Sequence, residues 1–263
     1  MIIEGQILKM ISEHSKPIRY YLNFENEFLE INQLLGKNIR LTHDHNQCKG
    51  CNLDKNIYRM GYCQECFFTL PQANESIIRP ELSTAHLGIE QRDLEWEKKF
   101  ELQPHIVYLA LSPDLKVGVT RFSQIPTRWI DQGASAAIIL AKTDNRYEAG
   151  MIEVAMKEGL SDKTNYRRML LNNIEDIDLI LKKEKFKDLV PEEFAHFITN
   201  DQEILSFDYP ILKQPTKINV IKLDSHNTYE GKLVGIKGQY WIFEDESVWN
   251  LRAHEGRYMK IEV

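Results

Sequence analysis

The segment CKGCNLDKNIYRMGYCQEC, residues 48–66, holds all four cysteines of the chain in two Cys-x-x-Cys pairs separated by eleven residues. Each pair can form a tight knuckle that presents two thiolates about 3.5–4 Å apart, and a second knuckle completes a tetrahedral site. A thioredoxin-like pair would need one Cys-x-x-Cys opening a helix inside a βαβ unit, a setting absent here. The intervening NLDKNIYRMGY suits knuckles, because Asn52 and Gly61 accept sharp turns and Ile57 and Tyr58 favour a short strand. The spacing predicts a zinc-ribbon-like module with Cys48, Cys51, Cys63 and Cys66 holding a structural Zn²⁺. With every coordination position filled, such an ion folds its module and does no chemistry. His43 and His45, just upstream, read as solvated loop histidines, with substitute ligation as the alternative.

The start, MIIEGQILKMISEHSK, lacks an apolar run of signal-peptide length, and no later stretch approaches the ~20 apolar residues of a membrane helix. The expected location is the cytoplasm, without membrane partners, and in that reducing compartment disulfide staples are disfavoured. The formal charge of −6 arises wholly between Asn173 and Asp208, where ten acids face four bases. The rest of the chain is balanced, so a basic face elsewhere is compatible with the overall acidity. A solvated helical surface is the simple reading of the acidic stretch, and an arm that repels or mimics nucleic acid is the sharper one.

The expected class is α+β. Residues 1–42 form a β-rich module in which Ile18, Tyr20, Leu22 and Phe24 alternate with polar neighbours. Zinc knuckles occupy 43–70, and a wrapping linker rich in turn formers spans 71–104. Residues 105–172 carry strands followed by helices, 173–214 an acidic helical segment, and 215–263 a second small β module ending in RYMKIEV. IEGQIL at 3–8 and YEGKLV at 229–234 resemble each other, which suggests a shared β-barrel built from both termini. Within 106–121, IVYLALSPDLKVGVTR reads as a hairpin around Ser112-Pro113-Asp114. QIPTRWIDQGA supplies a short helix with Ser123 as cap, Pro126 in the first turn and Gly133 as terminator. A longer helix runs from Tyr147 to Glu158 and ends at Gly159; Gly150 within it implies another backbone packed close to that face.

Tyr108, Lys116-Val117-Gly118, Arg128, Glu153 and Asn165 follow the order and rough spacing of the GIY-YIG nuclease superfamily, which this region of about 65 residues resembles. The resemblance implies a small three-stranded antiparallel sheet flanked by helices. It also implies roles: Tyr108 near the attacked phosphate, Arg128 stabilising developing charge, Glu153 binding one divalent metal and Asn165 closing the site. Two triplets depart from the pattern: the first is Ile106-Val107-Tyr108, and Lys116 stands where the superfamily has its second tyrosine. More broadly, the two-knuckle module, the RPEL at 79–82, LSDKTNYRRML at 160–170 and GIKGQY at 235–240 resemble a bacterial family catalogued as domain of unknown function 2797, over nearly the whole chain. Around RPEL, where many members carry further cysteines, this chain has Ser, Leu and Ile, which argues against a second metal site.

Such a constellation suits phosphodiester hydrolysis assisted by Mg²⁺ or Mn²⁺. A metal on Glu153 polarises the phosphate, Arg128 holds its oxygens, and Tyr108 or Lys116 takes a proton from water. Either base would need its pKa of ~10 depressed by burial or by a neighbouring cation such as Arg121. Each residue also has an ordinary reading: Tyr108 in a core, Arg128 on Trp129 or paired with an acid, Glu153 solvated on a helix, Asn165 as a helix cap. In the last module Lys232, Lys237, Tyr240 and Arg252 offer cations and a stacking ring for nucleic acid, whereas Trp241 and Phe243 read as core. The expected function is a zinc-containing protein that binds DNA or structured RNA and has possible metal-dependent nuclease activity. The alternatives are a catalytically inactive nucleic-acid or ribonucleoprotein binder and a zinc-stabilised protein-interaction adaptor.

Overall fold

HIVYLAL, residues 105–111, contains no acid, lysine or arginine, and all seven residues are buried. A run of this kind belongs to a strand covered on both faces. In the computed structural model, which describes residues 1–24, 27–157, 165–224 and 227–263, this strand lies inside a four-stranded antiparallel sheet. The order across the sheet is Ile204–Ser206, Ala136–Thr143, His105–Leu111, Leu115–Arg121. The hairpin turns at 112–114, which places Tyr108 opposite Gly118.

Alternation along the central strand divides its side chains between two cores. Ile106, Tyr108 and Ala110 join Trp129, Leu41, Trp241 and Ile261 on one side. Val107 and Leu109 join Ile152, Met156 and Phe186 on the other, under the helices Arg146–Lys157 and Leu179–Lys187.

The first of those cores belongs to strands from both ends of the chain. A seven-stranded sheet runs Ile2–Gln6, Arg257–Glu262, Asn38–Asn46, Thr228–Lys237, Tyr240–Phe243, Ser247–Asn250, Asn219–Val220, antiparallel except at its last pair. The stretches 1–42 and 215–263 thus share one hydrogen-bonded ladder, and the IEGQIL and YEGKLV segments both lie in it. Met259 and Ile261 are buried on one face of the closing strand. In Arg19–Phe24 the alternate residues Tyr20, Leu22 and Phe24 are buried, as period-two patterning requires.

Several expectations need correction. The wrapping linker is a chain of short 3₁₀ turns and then a helix, Leu94–Glu101, capped by Asp93. Its irregular backbone is held by buried Glu97, which accepts hydrogen bonds from the amides of Gln91 and Arg92 at 3.1 and 2.8 Å. The acidic segment has one α-helix, Leu179–Lys187, a 3₁₀ stretch and an edge strand of the central sheet, and its Lys183 is fully buried, donating to the Asp201 carbonyl. The short helix spans Thr127–Asp131, so Pro126 precedes it and Ser123, in a separate 3₁₀ turn, does not cap it. The long helix covers Arg146–Lys157; Glu158 and Gly159 lie outside the described residues. His43 and His45 stand on a strand, His43 buried, rather than in a loop. Among the described residues no helix is long and apolar enough to cross a membrane.

Gly150 behaves as its position implies. A Cβ there would sit 2.3 Å from the Glu81 amide nitrogen and 2.5 Å from the Pro80 carbonyl carbon, so the Pro80–Leu82 turn rests directly on the helix. Gly→Ala inside a helix ordinarily stabilises by about 1 kcal/mol. At Gly150 the steric cost of roughly 1–3 kcal/mol should prevail. Gly150→Ala is therefore expected to lower Tm by a few degrees in thermal unfolding, and an equal or higher Tm would mean that the turn is not seated on this face.

Candidate cleft and cysteine centre

Between the central sheet, the 3₁₀ linker and the C-terminal module lies a cleft of about 610 Å³. Seven basic side chains line it against two acids, Glu81 and Glu153. Tyr108, Lys116, Arg121, Arg128, Glu153 and Arg252, all singled out in the sequence, meet there.

The hairpin positions the first two. Tyr108 is 1% exposed, edge-on to Trp129 at 5.6 Å, and donates a hydrogen bond to Gln132 Oε1 at 3.0 Å. A Cβ on Gly118 would lie 2.6 Å from the Tyr108 hydroxyl oxygen, so only glycine opposite the tyrosine leaves room for the phenol. Two residues earlier on the same strand, Lys116 faces the same cleft.

Burial moves these two groups in opposite senses, because it disfavours whichever form is charged. It raises the Tyr108 phenol above its ordinary value, even though the charge of Arg128 and the Gln132 hydrogen bond pull the other way. It lowers Lys116 to about 7, assisted by the charge of Arg128. The assisting cation is therefore Arg128 rather than Arg121, whose guanidinium lies over the Phe100 ring at 4.5 Å.

Glu153 projects from the helix Arg146–Lys157 and is 8% exposed. Burial raises its carboxyl, the Glu81 charge raises it further, and Lys157, 3.4 Å from Oε2, opposes both. Arg146, which no sequence pattern singles out, fixes the linker to this helix by donating to the carbonyls of Ser76 and Ile77 at 2.9 and 2.8 Å. Gln132 was equally invisible, since only the folded chain brings it to Tyr108.

Other candidates lie elsewhere. Asn165 is exposed, does not line the cleft, and caps the helix Tyr166–Leu170 by accepting from the Arg168 amide at 3.2 Å, which is its ordinary reading. Lys237 is 2% exposed and donates to Asn172 Oδ1, so it is a core lysine lowered to about 8 by burial rather than a surface cation. Lys232 pairs with Glu244 at 3.4 Å, and Tyr240 stacks on Tyr166 beside a separate hollow of about 300 Å³.

The cysteine centre closes as its spacing predicts. The four sulfurs lie within 4.8 Å of one another, compatible with one tetrahedral ion, while His43 and His45 are not in the cluster. Asn52 and Gly61 take positive φ of 56° and 79° at the two turns, joined by Met60 at 55°. The amides of Cys63 and Gly50 donate to Cys48 Sγ at 3.2 and 3.4 Å. Burial pushes the Cys48 thiol up, but these and the Cys51 amide outweigh it and favour the thiolate a metal needs. The centre is also tied to the cleft wall. Lys49, between the first two cysteines, donates to Glu255 Oε2 at 2.8 Å, and the other oxygen of that carboxylate holds Arg252 Nε at 3.0 Å. The protein is expected to carry one Zn²⁺ per chain by metal analysis. Chelation should raise hydrogen exchange across residues 48–66 and also at 252–256, and protection unchanged at the latter would show the cleft wall to be independent of the metal.

No curated protein and no solved structure matches the chain. The family model described as protein of unknown function (DUF2797) matches residues 36–259, a span that includes the cysteine centre and every residue of the cleft, and the chain belongs to that family.

Proposed function

We propose that the chain binds nucleic acid, DNA or structured RNA, along the cationic cleft and hydrolyses its phosphodiester backbone with Mg²⁺ or Mn²⁺ in a GIY-YIG-like domain. The observation that carries this reading is the meeting of Lys116, Arg128 and Glu153 in one cleft whose lining is otherwise strongly basic. The antiparallel order of strands 136–143, 105–111 and 115–121, three of the four in the central sheet, with the helix Arg146–Lys157 following the strand 136–143, supports the likeness to that superfamily's small sheet.

The division of labour follows from the opposed pKa shifts. Lys116, at about 7, has an appreciable neutral fraction and accepts the proton of the attacking water at Nζ. Tyr108, held protonated by burial, donates a hydrogen bond and does not act as base. Arg128 braces the phosphate oxygens with its planar, forked guanidinium. Glu153 would hold the divalent ion, which supplies Lewis-acid stabilisation of the leaving oxygen. Asn165 has no part in this scheme. One contact favours a second reading, recognition without cleavage: Lys157 lies 3.4 Å from the Glu153 oxygen that a metal would need.

The test is a panel of single-stranded, duplex and branched DNA and structured RNA with Mg²⁺ or Mn²⁺. Glu153→Ala is expected to abolish cutting, and Lys116→Gln to slow it by roughly 10²–10⁴-fold. Because a general base must be neutral, the wild-type rate should rise with pH through about 7 and level off above it. Salt-sensitive binding without cutting by any form would establish the recognition reading. Neither binding nor cutting would reject both readings in favour of a protein-interaction adaptor.

A further inference from the structure

Arg121 and Arg146 line the cleft, yet the hydrolytic scheme uses neither. Arg121 ends the strand Leu115–Arg121, and Arg146 begins the helix that follows the strand Ala136–Thr143. His105, the first residue of the central strand, pairs with Arg121 on one side and with Thr143 on the other, so the sheet brings both arginines to the same end. There the helix Leu94–Glu101 supplies Phe100, whose ring centre lies 4.5 Å from the Arg121 guanidinium carbon and 5.5 Å from that of Arg146. Trp96 stacks on the same ring at 4.6 Å. Stacking occupies the face of a guanidinium and leaves open its N–H edge, the part that forks onto phosphate.

Arg146 is 6% exposed and gives Nε and Nη2 to the carbonyls of Ser76 and Ile77, while its Nη1 donates to no described residue although the side chain lines the cleft. Burial lowers this guanidinium to about 10; the charges of Glu101 and Glu153 oppose the shift, and those of Arg128 and Arg121 add to it. It is therefore a cation at neutral pH. Among the described residues no carboxylate forms an ion pair with Arg121, Arg128 or Arg146: of the two cleft acids, Glu81 is engaged by Arg79 at 3.1 Å and Glu153 by Lys157 at 3.4 Å. Buried charges are ordinarily paired, so the chain gathers guanidiniums around a space whose complement, an oxyanion, it does not itself supply. Two positions are distinct within that space. The charge of Arg128 shifts Lys116, whereas those of Arg121 and Arg146 do not. Lys116 and Arg121 stand five residues apart on one strand, roughly 17 Å between their Cα atoms.

We infer that Arg121 and Arg146, seated on the Phe100 ring, form one subsite for a backbone phosphate a few nucleotides from the scissile one, so that the cleft takes a polynucleotide and not a single nucleotide. The inference rests on the nucleic-acid reading of the cleft and adds to it a second point of grip. It also gives the linker a part in binding, since the linker helix carries the ring on which both arginines lie and Arg146 ties the 3₁₀ turns to the helix behind it. A phosphate contact of this kind positions the strand and reads no sequence.

The experiment is fluorescence anisotropy of a labelled duplex DNA, a single-stranded DNA and an RNA hairpin with the full-length, zinc-loaded protein, repeated over a range of salt concentrations without divalent metal. Wild type is compared with Arg121→Gln, Arg146→Gln, the double variant, Arg121→Lys and the exposed control Arg40→Gln, with folding of each checked by thermal unfolding. On the probe that wild type binds most tightly, Arg121→Gln is expected to lose about tenfold in affinity and to reduce the slope of log K against log salt by about one. The double variant should lose about one unit of slope in total, because both side chains grip one phosphate, and the control should match wild type. Arg121→Lys, which keeps the charge and loses the fork, should keep the slope and lose part of the affinity. Because Arg146 also holds the linker, the Arg121 forms decide the outcome. Wild-type affinity and slope in Arg121→Gln would overturn the inference and leave the cleft reading standing, and a loss of about two units in the double variant would replace the shared subsite with two separate contacts. Absence of salt-sensitive binding by the wild-type protein would overturn the subsite and the nucleic-acid reading together.

Discussion

Burial of the strand His105–Leu111 on both faces is the constraint on which the rest of the molecule depends. It forces two apolar layers to meet at one strand, one assembled from both ends of the chain and the other from the helices after the hairpin. Burial of about 25 cal/mol per Å² of apolar surface makes such a strand expensive to expose on either side. The strands at the two termini are therefore part of the framework of the central sheet and not separable attachments. Tyr108 occupies the boundary, with its ring in the shared core and its hydroxyl at the cleft.

That same burial sets the electrostatics of the cleft. Burial disfavours a charged ammonium at Lys116, and the charge of Arg128 adds to it, so the lysine is lowered to about 7. Arg128 lines the same cleft as the lysine. A tyrosine and a lysine facing one cleft thus diverge for a single reason, the cost of a charge away from water.

The cysteine module lies outside the central sheet yet shapes the cleft through contacts too short to be incidental. Glu255, 4% exposed at its side chain, accepts from Lys49 within the first knuckle and from Arg252 on the cleft wall. Met60, in the turn between the knuckles, lines the cleft itself. The four cysteines therefore order a local turn and, through one buried carboxylate, the direction of a cation some two hundred residues away in sequence.

Much of this was legible in the sequence because it depends on local pattern. Cysteine spacing sets the ligand cluster, period-two alternation sets the buried faces of Arg19–Phe24 and Arg257–Glu262, and the turn residues after Leu111 set the hairpin. Gly150 also pointed to its close contact, since a glycine that costs a helix stability often has a packing reason. What pressed on it was not legible, and neither were Gln132, Arg146, Glu81 or Glu255, because their roles come from partners brought near by folding. Asn165 and Lys237 illustrate the converse: a polar residue at a plausible position became a helix cap in one case and a core lysine in the other. The sequence by itself determined the four-cysteine cluster, the hairpin and the residue types able to do chemistry, since these follow from spacing and side-chain identity. Tertiary structure alone decided which of them share one cleft and which carry a shifted pKa, because burial and long-range proximity exist only once the chain has packed.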